Sequence, residues 1–226
     1  MLIKTDEFNN LVDSYWQVVR YQKQIKEFYQ FLDAQFKARE YGVKLEPIRN
    51  GLFAISQDYD IYEKKVYPIY LWVPQWYGRF YVNSQDIPAD MAVEDCPIER
   101  LKYITFVWNW IGCNDPHVPD TKEPECWLAI TKPEIENPSE RLEDVAENIW
   151  NHFRLQLMDE ETTDGWLKGH FDPQKEDCNL KGWWLLKRLP VSQIVNCYQV
   201  QQLVVKAICE KYHELSNSHR TYANSP

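Results

Sequence analysis

The segment KYITFVWNWI, residues 102–111, is the clearest strand in the sequence. Its residues alternate between two faces, one carrying Ile104, Phe106, Trp108 and Trp110 and the other Tyr103, Thr105, Val107 and Asn109. A period of two in β-branched and aromatic residues is typical of a β-strand, because successive side chains of a strand point to opposite faces. The segment therefore predicts a sheet, and the rest of the chain has to supply its other strands.

Five further segments have the same β-prone composition. They are GLFAISQ (51–57), VYPIYLWV (66–73), GRFYVN (78–83), ECWLAITK (125–132) and GWWLLKRL (182–189). The residues PQWYG (74–78) between two of them are expected to form a turn, since Pro and Gly favour turns. Short strands separated by turns predict a mainly antiparallel sheet of about five to six strands.

A long helix is predicted for residues 6–41, before any strand. Apolar residues recur at intervals of three and four, interrupted only at Gln22: Phe8, Leu11, Tyr15, Val18, Gln22, Ile25, Tyr29, Leu32 and Phe36. A second row consists of Val12, Trp16, Val19 and Phe28. A helix of this length runs for about 50 Å, which exceeds the width of a sheet in a domain of this size. We expect its N-terminal half to project, or to meet a second chain.

Two capping patterns predict two further helices near the C-terminus. Asn137-Pro-Ser-Glu140 opens the first, and Asn196-Cys-Tyr-Gln199 opens the second. The order of elements predicts a single α+β domain over residues 1–215, followed by a disordered tail over 216–226.

Composition restricts the range of functions. The chain has 25 Lys and Arg against 34 Asp and Glu, a net charge of −9, and its basic residues do not cluster. Phosphate binding requires such clusters, so nucleic acid is not expected as a partner. The sequence has no P-loop and no dinucleotide fingerprint. No stretch reaches the roughly 18 apolar residues of a membrane span, and the N-terminus shows no apolar leader. We therefore predict a cytoplasmic protein with reduced cysteines and no membrane contact.

The segment GCNDPHVPDTKEPEC (112–126) offers the best candidate metal ligands, namely Cys113, His117, Asp120 and Cys126. Thiolates and an imidazole are ligands that Zn²⁺ prefers. The spacing lacks the C-x-x-C knuckle of structural zinc sites, and three prolines stiffen the segment without a metal. The sequence favours an acidic turn between two strands, with zinc as the alternative, and no cofactor is otherwise expected.

A second acidic segment, MDEETTDGWLKGH (158–170), lacks the spacing of an EF-hand and is interpreted as a solvated loop. The order of helix, strands, helix and strand is similar to that of the PD-(D/E)xK nuclease core, on element order alone. That core needs an acidic residue and a Glu-x-Lys pair on adjacent strands, whereas Glu125 and Lys132 lie seven residues apart. A metal-dependent hydrolase or degenerate nuclease-like domain using the acidic loops is therefore the alternative function.

The first hypothesis for function is a non-enzymatic interaction protein: a regulator, an inhibitor or an assembly subunit. No catalytic residue is predicted, because no G-x-S-x-G elbow or comparable motif occurs. The expected contact residues are an aromatic patch and the start of the long helix: Trp72, Trp76, Tyr77, Leu11 and Tyr15. Tyr and Trp give large contact areas at low entropic cost and are enriched in binding hot spots. The predicted partner is another protein or a second copy of the chain.

Overall fold

A computed structural model describes residues 5–48, 53–55, 76–110, 123–134, 145, 149, 164–171 and 180–223. It begins with helix α1, Thr5–Ala38. The strands are β1 Leu45–Pro47, β2 Phe53–Ile55, β3 Trp76–Asn83, β4 Ile104–Trp110, β5 Glu125–Glu134, β6 Leu167–His170 and β7 Lys181–Pro190. Helix α2 follows in three pieces, α-helical Cys197–Gln199, π-helical Val200–Lys206 and α-helical Ala207–Ala223. The predicted α+β class is confirmed.

The sheet has the strand order β1-β3-β4-β5-β7-β6, with β2 also paired to β3, and every described pair is antiparallel. Strand β1 pairs with the end of β3 and β2 with its beginning, so the two short strands share one edge. The predicted antiparallel sheet is confirmed. The strand predicted at 66–73 lies outside the described residues. Of the helix predicted after residue 137, only Val145 and Ile149 are described, and both are helical and buried.

Strands β1 and β6 were not predicted from the sequence. Both are short: β1 has three residues and ends in Pro47, and β6 has four residues and contains Gly169, so neither stands out in the sequence. They are strands because β3 and β7 present unpaired backbone groups along which they align. This pairing is a consequence of tertiary structure rather than of local propensity.

Both faces of the sheet are buried, as the alternation in β4 implies. On one face Phe106 and Trp108 belong to a core that includes Val145, Ile149 and residues of the segment between β3 and β4. On the other face Val107 belongs to a core formed with α1 and α2. The sheet is therefore the middle layer of three, and α1 and α2 cover the same face.

Two tryptophan rings lie across glycines on neighbouring strands. Trp108 is the register partner of Gly78, and Trp184 is the partner of Gly169. A Cβ atom at Gly78 would lie 1.7 Å from Trp108 Nε1, and one at Gly169 would lie 2.1 Å from Trp184 Cζ2. Glycine is required at both positions because only a residue without a side chain leaves room for the ring.

Helix α2 begins at the predicted cap and extends further than predicted. The Asn196 side chain accepts from the Gln199 backbone N–H at 2.9 Å, and the Gln199 side chain accepts from the Val195 N–H at 3.1 Å. A disordered tail was predicted from residue 216, whereas α2 continues to Ala223. No Pro or Gly occurs within Ala207–Ala223 to end the helix, which explains the extension.

Candidate functional site: a projecting helical arm

Helix α1 is longer than the sheet that it covers. Its second half packs on the sheet with four apolar residues that are 7% exposed or less: Ile25, Tyr29, Leu32 and Phe36. Toward the N-terminus the pattern changes, and none of the described side chains at residues 10 and 12–20 is buried. We call residues 5–20 the helical arm, which at 1.5 Å per residue extends for about 24 Å. The described side chains of the N-terminal half are thus exposed or half-buried, as its predicted projection requires.

A buried hydroxyl anchors the second half of α1 on the sheet. Tyr29 OH lies 2.6 Å from the Tyr77 carbonyl oxygen and 3.1 Å from that of Val107, and donates between them. The same hydroxyl accepts a hydrogen bond from Asn109 Nδ2 at 3.3 Å. Burial raises the pKa of Tyr29 well above its ordinary value, so the phenol stays neutral and remains a donor. The anchor fixes the point from which the arm departs.

An ion pair provides a second anchor between α1 and β3. Arg79 Nη1 contacts Asp33 Oδ2, and the two side chains are 9% and 20% exposed. Burial raises the pKa of Asp33 above its usual range, and the Arg79 charge offsets part of that shift. Nearby, the Phe36 ring lies edge-on to Tyr81 at 4.8 Å between centroids. These contacts hold α1 alongside β3 up to the beginning of that strand.

The arm carries large apolar side chains that the described chain does not cover. Tyr15 and Trp16 are each 52% exposed, and Val12 is 37% exposed. The Tyr15 and Trp16 rings meet edge to face at 5.5 Å between centroids. Two neighbouring half-exposed aromatic residues on one helix form an apolar surface of the kind that binding sites use.

The other exposed large apolar residues lie toward the same end of the sheet. The arm leaves the sheet near the start of β3, where the Tyr21 ring lies 6.0 Å from that of Tyr77. Strand β7 ends at Pro190 at this end, since Pro190 pairs with Glu125 at the start of β5. Val195 and Tyr198 follow β7 and are 72% and 70% exposed. Among the described residues, all five exposed large apolar side chains are therefore in the arm or just after β7.

The structure corrects part of the predicted aromatic patch. Trp76 and Tyr77 lie in β3 and not in a turn. Tyr77 is 7% exposed beneath α1, because its position in β3 faces the helix. The glycine that suggested the turn, Gly78, instead accommodates the Trp108 ring. Trp72 and the side chain of Trp76 lie outside the described residues, so their predicted role in binding stays a prediction.

The two contact residues predicted on the long helix both lie in the arm, and their role in binding stays a prediction. Tyr15 is exposed on the arm, whereas Leu11 lies in α1 but its side chain is outside the described residues. Trp16, Val195 and Tyr198 were not nominated. Trp16 was detectable, because it belongs to the second apolar row of the helix. Val195 and Tyr198 carry no comparable signal, since they flank a helix cap.

The predicted zinc ligands are only partly described. Cys126 is buried beneath α1, and burial raises the pKa of its thiol far above the ordinary value. The zinc alternative stays a prediction. Cys113, His117 and Asp120 lie outside the described residues. Among the residues that are described, no three His, Cys, Asp or Glu side chains are arranged to hold a metal ion.

The second acidic segment contributes an ion pair to α2. Lys211 Nζ contacts Asp164 and donates to Glu214 Oε2 at 2.9 Å. Burial lowers the pKa of Lys211, but its hydrogen bonds to the two carboxylates outweigh burial and raise it above the ordinary value. Asp164 therefore fixes the approach to β6 against α2. The remaining acidic residues of the segment, at 159–161, lie outside the described residues.

Comparisons with known proteins give no relative. No protein-family model, curated protein or solved structure matches the chain. In the part of the chain that the structure describes, no helix is both long and apolar enough to cross a lipid bilayer.

Proposed function

We propose that this chain is a non-enzymatic interaction protein that contacts another protein chain through the helical arm. The observation that carries the proposal is the 52% exposure of both Tyr15 and Trp16 on a helix that extends beyond its own sheet. Exposed aromatic residues on a helix match the helix-in-groove and helix-pair modes of recognition, in which one apolar face supplies the contact.

The energetics of an isolated helix support this function. A helix of about 12 to 15 residues is only marginally stable in water without tertiary packing. The arm is continuous with the anchored half of α1. Because that half is already helical, the arm extends an existing helix and does not have to nucleate one of its own. A partner that covers Tyr15 and Trp16 would provide the packing that the sheet does not. The net charge of −9 favours a partner surface that is polar or basic around the apolar contact.

The test separates contacts that fold the chain from contacts that bind a partner. Tyr15→Asp combined with Trp16→Asp is expected to leave the melting temperature within about 2 °C of wild type, because surface changes cost under about 0.5 kcal/mol. Leu32→Asp is expected to unfold the protein or lower its melting temperature sharply, since Leu32 is 0% exposed.

Binding is then compared between folded variants. Tagged wild-type protein and the Tyr15→Asp/Trp16→Asp variant are each used for quantitative capture from an extract of the native cells. The matched control is Gln30→Asp/Ala34→Asp, because both residues are exposed on α1 outside the arm. A stoichiometric protein, either foreign or an untagged copy of this chain, should be retained by wild type and by the control and lost by the arm variant. Equal recovery by all three, or an arm variant as unstable as Leu32→Asp, would show that the arm is not a binding surface.

A further inference from the structure

We infer that the protein that binds the helical arm is a second copy of this chain, whose own arm lies antiparallel to the first about a two-fold axis between Trp16 and Gln17. This inference rests on the proposed function, because it names the partner of the same surface. A symmetric pair of this kind buries the same patch on both copies, which is the commonest arrangement of soluble homo-oligomers.

The arm has an apolar row that the described part of the chain leaves largely exposed: Val12 and Trp16 are 37% and 52% exposed, and Val19 is half-buried. Val12, Trp16 and Val19 recur at intervals of four and three, so they form one row along the helix. At about 100° per residue, this row lies more than a quarter turn around the helix from the row that packs on the sheet. The sheet-facing row contains Ile25 and Leu32, which are buried. Since the two rows face different directions, a second helix can cover the first row without displacing the sheet.

The charges along α1 select the direction of pairing. The three acidic residues of the first turns, Asp6, Glu7 and Asp13, come before any basic residue of the helix. Arg20, Lys23 and Lys26 follow and are basic. Glu27 comes next, and its Oε1 lies 3.7 Å from Lys23 Nζ. Two parallel arms would place like charges at the same level. About an axis between Trp16 and Gln17, two antiparallel arms place Asp13 level with Arg20 and Glu7 level with Lys26. Asp6 is then level with Glu27, so two of these three levels join opposite charges, which favours the antiparallel pair.

One pair of opposite charges, Asp13 of one copy and Arg20 of the other, lies at the same height along the two antiparallel arms. Asp13 and Arg20 are seven residues apart, about two helical turns, so both lie along the same flank of the apolar row. In the antiparallel pair Asp13 is level with Arg20 of the second copy, and symmetry repeats the contact. Both side chains are exposed in the single chain, so neither has to leave a buried site to form the pair. Two such pairs offset part of the repulsion between two copies of net charge −9.

The experiment is sedimentation equilibrium of the full chain at low salt, from about 1 to 200 µM. Wild type should approach twice the 27.1 kDa of one chain. Trp16→Asp should remain monomeric. Arg20→Asp and Asp13→Arg should each raise the dissociation constant at least tenfold. The double variant Asp13→Arg/Arg20→Asp keeps the net charge and restores the cross-pairs, so its dissociation constant should return to within about threefold of wild type. Thermal melting followed by circular dichroism is the check that each variant is folded.

Two results would overturn the antiparallel pair. If the wild-type chain stays monomeric over the whole concentration range, a second copy is not the partner of the arm. The proposed function survives that result if the folded arm variant still loses a foreign partner. A dimer whose double variant is as weak as the two single variants excludes the antiparallel charge pairing. If the arm variants themselves fail to fold, the proposed function is refuted together with the inference.

Discussion

Gly78→Ala should destabilise the protein through the Trp108 ring and not through the backbone. A Cβ at position 78 would lie 1.7 Å from Trp108 Nε1 and 2.1 Å from Cδ1, whereas ordinary contact begins near 3.4 Å. The ring would therefore have to move by more than 1 Å. It has no free volume to enter, because Trp108 is 1% exposed and packs edge-on against Phe80 and Phe106 at 5.6 and 5.0 Å.

The expected cost follows from two opposing terms. Overpacking a filled core costs about 1–3 kcal/mol, and a clash this short with a buried ring belongs at the upper end. Replacing Gly by Ala in a strand returns about 0.5–1 kcal/mol of backbone entropy. We expect a net loss of about 2 kcal/mol, or about 4–8 °C in melting temperature for a chain of this length. Urea unfolding followed by circular dichroism measures it.

A double-mutant cycle identifies the cause. Trp108→Phe alone destabilises by leaving a cavity, but in the Gly78→Ala background the shorter ring makes room for the new methyl group. The double variant should therefore be more stable than the sum of the single changes by at least about 1 kcal/mol. Gly165→Ala is the control, because its φ of +78° strains a side chain while no atom lies within 4 Å; Trp108→Phe should not rescue it. Strict additivity at position 78 would refute the argument.

Two further predictions concern buried titratable groups. Burial raises the pKa of the Cys126 thiol and raises that of Cys209 to about 12. In the native protein both thiols should therefore react with maleimide far more slowly than the exposed Cys197. Labelling of single-cysteine variants, measured by mass spectrometry, tests this, and fast labelling of Cys126 would contradict its burial. Asp164→Asn should lower the free energy of unfolding by about 1 kcal/mol at pH 7, a modest cost since Asp164 is 43% exposed. Because Lys211 has a raised pKa in the folded state, its contribution is complete below its ordinary pKa of 10.5 and is lost as pH rises through the folded pKa. The difference in free energy of unfolding between wild type and Asp164→Asn, measured with urea, should therefore shrink as pH rises above 10.5.

Periodicity in the sequence predicted the regular elements where it was strong. The period-two pattern of 102–111 corresponds to β4, and the three-four spacing from Phe8 to Phe36 corresponds to α1. The length of the predicted helix alone implied that α1 would extend beyond the sheet, and the described side chains of the arm are exposed or half-buried. Strands β1 and β6 were missed because they have only three and four residues, too few for periodicity to single them out, and they align along a neighbouring strand.

The sequence by itself determined which residues could make apolar contacts, and it nominated Tyr15, which is 52% exposed, as a contact residue. Only the tertiary structure decided which of them are covered, since burial depends on neighbours that are distant in the chain. Tyr15 and Tyr77 are both tyrosines next to a tryptophan in the sequence, yet α1 covers Tyr77 and nothing described covers Tyr15. Gly78 shows the same limit: beside Trp76 and Tyr77 it indicates a turn, and only the pairing of β3 with β4 places the Trp108 ring where a side chain would be. Local propensity describes what a residue favours, whereas register and packing determine what it contacts.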